Sequence, residues 1–206
     1  MLHDQGQDLD AAVTMEKLVE AVDAGKVTAA QLYGRKPGEV RARTYYFFAC
    51  HWKSKNDAVK QRENLDKALA ADPTDIDVLI ACHQLAEATP EYRTKIAGLI
   101  KKAATTLQER IAESPDDPSL YNQYAWVVGN TEGDFDEALR CSWKSLELQP
   151  EEGGYYDTLA HVYFGKGDCE NAVKYQTKAA KLEPHSGLIQ RQLKVFQKEL
   201  EEKKKT

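Results

Sequence analysis

The chain repeats itself at long range. The run "GDFDEAL" (133–139) returns as "GDCENAV" (167–173), 34 residues further on. The phase extends outwards: Pro184 falls on Pro150, Ala172 on Ala138, Asp168 on Asp134, Leu182 on Leu148 and Lys178 on Lys144. Residues 42–75 fit the same frame, with "LDKALAADP" beside "SWKSLELQP" and "QTKAAKLEP". A period of this length predicts stacked supersecondary units, each too small to bury its apolar face alone.

Residue chemistry gives the unit its shape. Asn56, Gly133 and Gly167 occupy one slot, where a helix ends in a left-handed residue that glycine adopts freely and asparagine tolerates. Asp57, Asp134 and Asp168 follow at once, placed to cap a second helix. Pro73, Pro150 and Pro184 then stop it. Each block is therefore predicted as two helices joined by a tight turn.

The remaining segments are less regular. Residues 76–118 make a unit of 43 residues, with a first helix expected over 76–88. Thr89-Pro90 then opens a long second helix, with Tyr92, Ile96, Leu99, Ala103, Leu107 and Ile111 at helical spacing over about five turns. The run "SPDDPS" (114–119) ends it, and Asp117-Pro118 starts the next helix. At the N-terminus, Leu9, Val13, Leu18 and Val22 are expected on one face of a helix over 8–24, and Thr28 and Gln31 have capping-box spacing. Residues 8–41 read as an imperfect helical pair. Ile189, Leu193, Phe196 and Leu200 form an apolar stripe, predicting a capping helix over 187–203.

These blocks resemble the tetratricopeptide repeat (TPR), a helix–turn–helix unit with the pattern W-x₂-L-G-x₂-Y…A-x₃-F…P. In 153–186 the pattern reads Tyr156, Leu159, Ala160, Tyr163, Ala172, Gln176 and Pro184. In 42–75 it reads Tyr45, Phe48, Ala49, Trp52, Gln61, Leu65 and Pro73, and in 119–152 Asn122, Ala125, Trp126, Gly129, Ala138, Ser142 and Pro150. Gln61 and Trp126 stand where the motif wants small residues. Either the helices separate there, or a shift exchanges the roles of Ala125 and Trp126. The resemblance implies an all-α fold, a right-handed superhelical solenoid of TPR-like repeats running as one domain over 1–206, with first helices lining the concave side.

On that reading, one stripe of each first helix forms a groove: Tyr46, Cys50 and Lys53; Ile80, Gln84 and Glu87; Gln123, Val127 and Asn130; Asp157, His161 and Phe164. The mixture of polar and apolar side chains suits an extended peptide or a partner helix. The function expected is a non-catalytic protein–protein interaction module. The alternative is a structural spacer or self-association segment of a larger protein. Family members that grip acidic chaperone tails use a Lys/Asn/Arg array on this surface, and the array is missing here.

Composition narrows the partners. Net charge is −5 with no basic stripe, so no nucleic-acid ligand is expected, and Lys203-Lys204-Lys205 reads as a solvated tail. Apolar runs such as "VLIAC" (78–82) are far below the ~18 residues of a membrane span. The acidic start "MLHDQGQDLD" is unlike a signal peptide, and with four scattered cysteines it points to free thiols in the cytoplasm. The opening also reads as the interior of a longer protein, so the chain is treated as a possible excerpt. GxSxG, HExxH, P-loop and GxGxxG motifs are absent, so neither catalysis nor a cofactor is expected. Cys50-His51 and Cys82-His83 read as packed side chains on neighbouring first helices, with a metal or redox pair across them as the alternative. His161, one turn from Asp157, lacks a nucleophile or pocket and reads as a groove residue.

Overall fold

The boundaries of the helices follow the punctuation in the sequence. The computed structural model describes residues 2–32 and 34–205; Met1, Thr206 and Tyr33, within the 8–41 segment, lie outside the described residues. Among the described residues there are ten α-helices and no strand. The chain divides into two compact units, Met1–Leu99 and Ile100–Thr206. The first holds α1 (Asp8–Asp23), a 3₁₀ turn (Ala29–Leu32), α2 (Pro37–Ser54), α3 (Ala58–Ala71) and α4 (Ile76–His83). Helix α5 (Pro90–Glu113) begins in the first unit and ends in the second. The second continues with α6 (Pro118–Gly129), α7 (Phe135–Leu148), α8 (Gly153–Gly165), α9 (Cys169–Leu182) and α10 (Gly187–Lys203).

Turn chemistry explains the hairpins. Asn56 turns α2 into α3 at φ 57°, and Gly167 turns α8 into α9 at φ 80°. The Asp57 carboxylate accepts from the Lys60 N–H at 3.0 Å, Asp168 from Asn171 at 3.0 Å, and Asp134 from both Asp136 and Glu137. Each such cap is worth about 1 kcal/mol. Helices α3, α7 and α9 stop two residues before their prolines. The residue in between (Asp72, Gln149 or Glu183) leaves helical geometry, with φ of −147°, −137° and −120° and ψ of 100°, 84° and 69°. Steric conflict with the following proline ring drives that exit.

Packing runs between neighbours. In the first unit α2 packs on α1, α3 and α4, and α3 on α4; in the second α6 packs on α7 and α8, α8 on α7 and α9, and α9 on α10. Helices α6 and α8 meet backbone to backbone at Gly129. A methyl group there would stand 2.9 Å from the Val162 side chain and 3.0 Å from its nitrogen. The second unit's core joins Leu146, Tyr156, Leu159, Ala179, Ala180 and Ile189, and beside them Ala160, Ala172 and Phe196. Gln176, in the slot where the repeat motif carries an aromatic ring, is fully buried. Its amide nitrogen donates to Asp157 Oδ1 at 2.6 Å and to the Ile189 carbonyl at 3.2 Å, binding α9 to both α8 and α10.

Several sequence expectations need correcting. Helix α2 starts at Pro37, five residues before the repeat boundary, because proline at the first helical position is pre-set for helix. Helix α4 ends at His83 rather than running to 88. Leu85 folds inwards, and Arg93 of α5 donates to the Ala86 and Ala88 carbonyls, fixing the segment after α4 in a non-helical path. In α1 it is Ala11 and Ala12 that are buried, while Leu9 and Val13 are exposed. Small side chains let α1 come close to α2, and the larger pair falls outside the contact.

Candidate functional site

In the first unit the predicted stripe on α2 is largely covered from within the chain. Tyr46 and Cys50 are half-buried and only Lys53 is exposed. The His3 ring lies 5.7 Å from the Tyr46 ring, edge to face, and 4.9 Å from that of Phe47. His3 Nδ1 and Asp8 Oδ1 are hydrogen-bonded at 2.5 Å. The Arg43 guanidinium sits 5.3 Å from the Tyr46 ring centre and reaches Asp77 at 2.8 Å and Asp75 at 3.5 Å. Burial works against the charge on Arg43, but Asp75 and Asp77 outweigh it and raise its pKa. The Asp75 carboxyl is raised, chiefly by burial, with Arg43 opposing. On α4, Ile80 is buried, Gln84 is exposed at the helix end, and Glu87 lies beyond the helix altogether.

In the second unit the stripe on α6 is displaced by one residue. Val127, expected to line the groove, is fully buried, as is Val162, 35 residues on. Ala125 is buried too, while Trp126 is half-buried beside His161, with ring centres 4.9 Å apart. The exchange of Ala125 and Trp126 is therefore the outcome, and the counterparts of Asp157, His161 and Phe164 are Asn122, Trp126 and Gly129 rather than Gln123, Val127 and Asn130. The cause is one extra residue between Trp126 and Gly133, six intervening residues against the five between His161 and Gly167. Second helices keep the 34-residue phase and first helices drift to 35. Phe196 of α10, another 35 residues on, faces His161 at 5.2 Å and stacks on Phe164 at 4.4 Å.

On this stripe Asp157 accepts from Gln176, whereas Asn122 Oδ1 is buried without a hydrogen-bond partner among the described residues; next to the stripe, the Asn130 amide donates to the Trp126 carbonyl at 2.9 Å. Burial between Trp126 and Phe196 lowers the His161 pKa, with Asp157 opposing. The imidazole is therefore held neutral near pH 7.

A family model for the tetratricopeptide repeat matches residues 154–186. The repeat comprises α8, its Gly167 turn and α9, so it contains Asp157, His161 and Phe164. No curated protein sequence matches the chain. Among solved structures, TTC0263, a thermophilic TPR protein of Thermus thermophilus, is similar at 17% identity with a TM-score of 0.53, covering 95% of this chain and 93% of its own. YrrB, a TPR protein with an unusual peptide-binding site, is 19% identical over 92% of this chain and 85% of its own, with a TM-score of 0.42. MamA is 18% identical over 80% of this chain and 93% of its own, with a TM-score of 0.39. The likeness to TTC0263 establishes the all-helical TPR fold.

Beside the repeat, the cysteines have little chemistry to offer. All four are free. Burial pushes the Cys50 thiol up to about 12, Cys82 to about 11 and Cys141 to about 12, so each is a neutral thiol near pH 7 and a poor nucleophile or metal ligand. Among the described residues no group of three or more His, Cys, Asp or Glu is placed to hold a metal ion, and no helix is long and apolar enough to cross a membrane. Sequence reasoning missed His3, Trp126 and Phe196 as members of these faces. The 35-residue spacing of Trp126, His161 and Phe196 was a usable signal for two of them; nothing local marked His3.

Proposed function

We propose that the chain is a non-catalytic protein-interaction module that takes a peptide or partner helix on the first-helix stripe of one or other unit. The observation that carries this is the half-buried Trp126–His161 pair, spanning α6 and α8 beside Asp157 and Phe164. Half-exposed rings next to oriented polar groups give apolar contact area and hydrogen bonds at low entropic cost. A contact of this size supports about µM affinity, roughly −8 kcal/mol. Peptides selected from a displayed library are to be titrated calorimetrically against wild type, Trp126→Leu and Tyr46→Leu. Loss of affinity in either variant is expected; equal affinity in all three removes the reading.

Self-association is a second reading, favoured by Leu188 and Val195, which leave α10 43% and 49% exposed at i and i+7. Light scattering over a dilution series, with Val195→Glu as the control, separates it from peptide binding.

A further inference from the structure

We propose that residues Leu2–Gln7 are a strap that occupies the Tyr46–Cys50 face of α2 from within the chain and must lift before an external ligand takes that face. The proposal rests on the binding role given to α2 above. The segment is a compact turn rather than a helix: Gln5 and Gln7 donate to the Leu2 carbonyl at 3.1 and 2.9 Å, and Gly6 to that of His3 at 2.9 Å, with Gly6 at φ 78°. These bonds are internal to the turn and do not tie it to α2.

Its ring contacts with the rest of the unit are made by His3. The His3 imidazole packs against Tyr46 and Phe47, and the bond to Asp8, the first residue of α1, orients the ring. Both partners of that bond are partly open to water, at 22% and 15% of their side-chain surface. Helix α1 is held separately, through the burial of Ala11 and Ala12, and stays in place when the strap leaves. Gln7 gives α1 no side-chain cap and joins it through its carbonyl, which accepts from the Ala11 N–H at 2.9 Å. Beneath the ring, Cys50 lies one turn on from Tyr46 on the same face of α2, which links cover of the tyrosine to cover of the thiol. What replaces the strap must present a flat ring to Tyr46 and Phe47.

The thiol provides the test. The full chain, His3→Ala and His3→Phe are treated with iodoacetamide under native conditions, and alkylation is followed at each cysteine by mass spectrometry. Lifting the strap is a local opening, so His3→Ala is expected to raise the Cys50 rate about fivefold or more, with Cys82, Cys141 and Cys169 unchanged. His3→Phe, which keeps a ring, is expected to stay near wild type. An unchanged Cys50 rate in His3→Ala, or an equal rise at all four thiols, overturns the strap. No ligand is present, so that failure leaves the binding role of α2 standing.

Discussion

The two units cover the same kind of face by different means. In the first, a six-residue turn lays one imidazole on Tyr46 and Phe47. In the second, the 17-residue helix α10 buries Phe196 completely against His161 and Phe164 and is capped by Ser186, whose hydroxyl accepts from the Ile189 N–H. Gln176 adds a buried hydrogen bond from α9 to the α10 backbone. The difference teaches that cover alone does not define a core. A fully desolvated ring, a cap and a buried amide make a permanent wall, whereas a half-wet ring makes a removable one.

The contrast can be broken most sharply at the rings themselves. Phe196→Ala is expected to cost about 3–5 kcal/mol in thermal or urea unfolding. His3→Ala should cost less than about 1 kcal/mol. Comparable losses would erase the distinction. Next in size is the α6–α8 contact. Gly129→Ala drives a methyl group into the Val162 backbone and should cost about 1–3 kcal/mol. Gly98→Ala in α5, where nothing lies within 4 Å, should instead stabilise by up to about 1 kcal/mol. Urea denaturation of both variants reads the opposite signs.

Smaller again are the caps. Ser186→Ala should destabilise by about 0.5–1 kcal/mol, and Gln7→Ser, which supplies the cap α1 lacks, should stabilise by a similar amount. The last effect is pH dependence. The folded chain resists protonation of His161, so its contribution is complete above the ordinary imidazole value of 6.5. As pH falls below that value the unfolded chain takes up the proton first, and stability drops until the folded imidazole also titrates. His161→Phe should flatten the wild-type slope between pH 7 and 5, measured by unfolding midpoints; parallel profiles would contradict the burial of the ring.

How much of this was legible depends on the range of the interaction. Turn residues act locally, so Asn56, Asp57, Asp168 and Pro184 could be placed from their neighbours in the chain, and the helices begin and end beside them. The stripe on α10 was legible for the same reason: Ile189 and Phe196 bury as their spacing implies. The α6 register was not, because Gly133 and Asp134 keep phase with the second helix while the first helix is counted from the other side of the turn. The end of α4 was hidden because the segment after it is held by Arg93 of α5, which binds the Ala86 and Ala88 carbonyls from the next helix. Cover by His3 depends on tertiary packing that no periodicity encodes.

The additional residue between Trp126 and Gly133 has a mechanical consequence. Each residue advances a helix by about 100°, so the length of this loop selects which row of α6 side chains meets α8. Lineages that gained or lost one residue at Thr131–Glu132 would swap the row presented to a ligand in a single step, leaving every hydrophobic position of the following hairpin untouched.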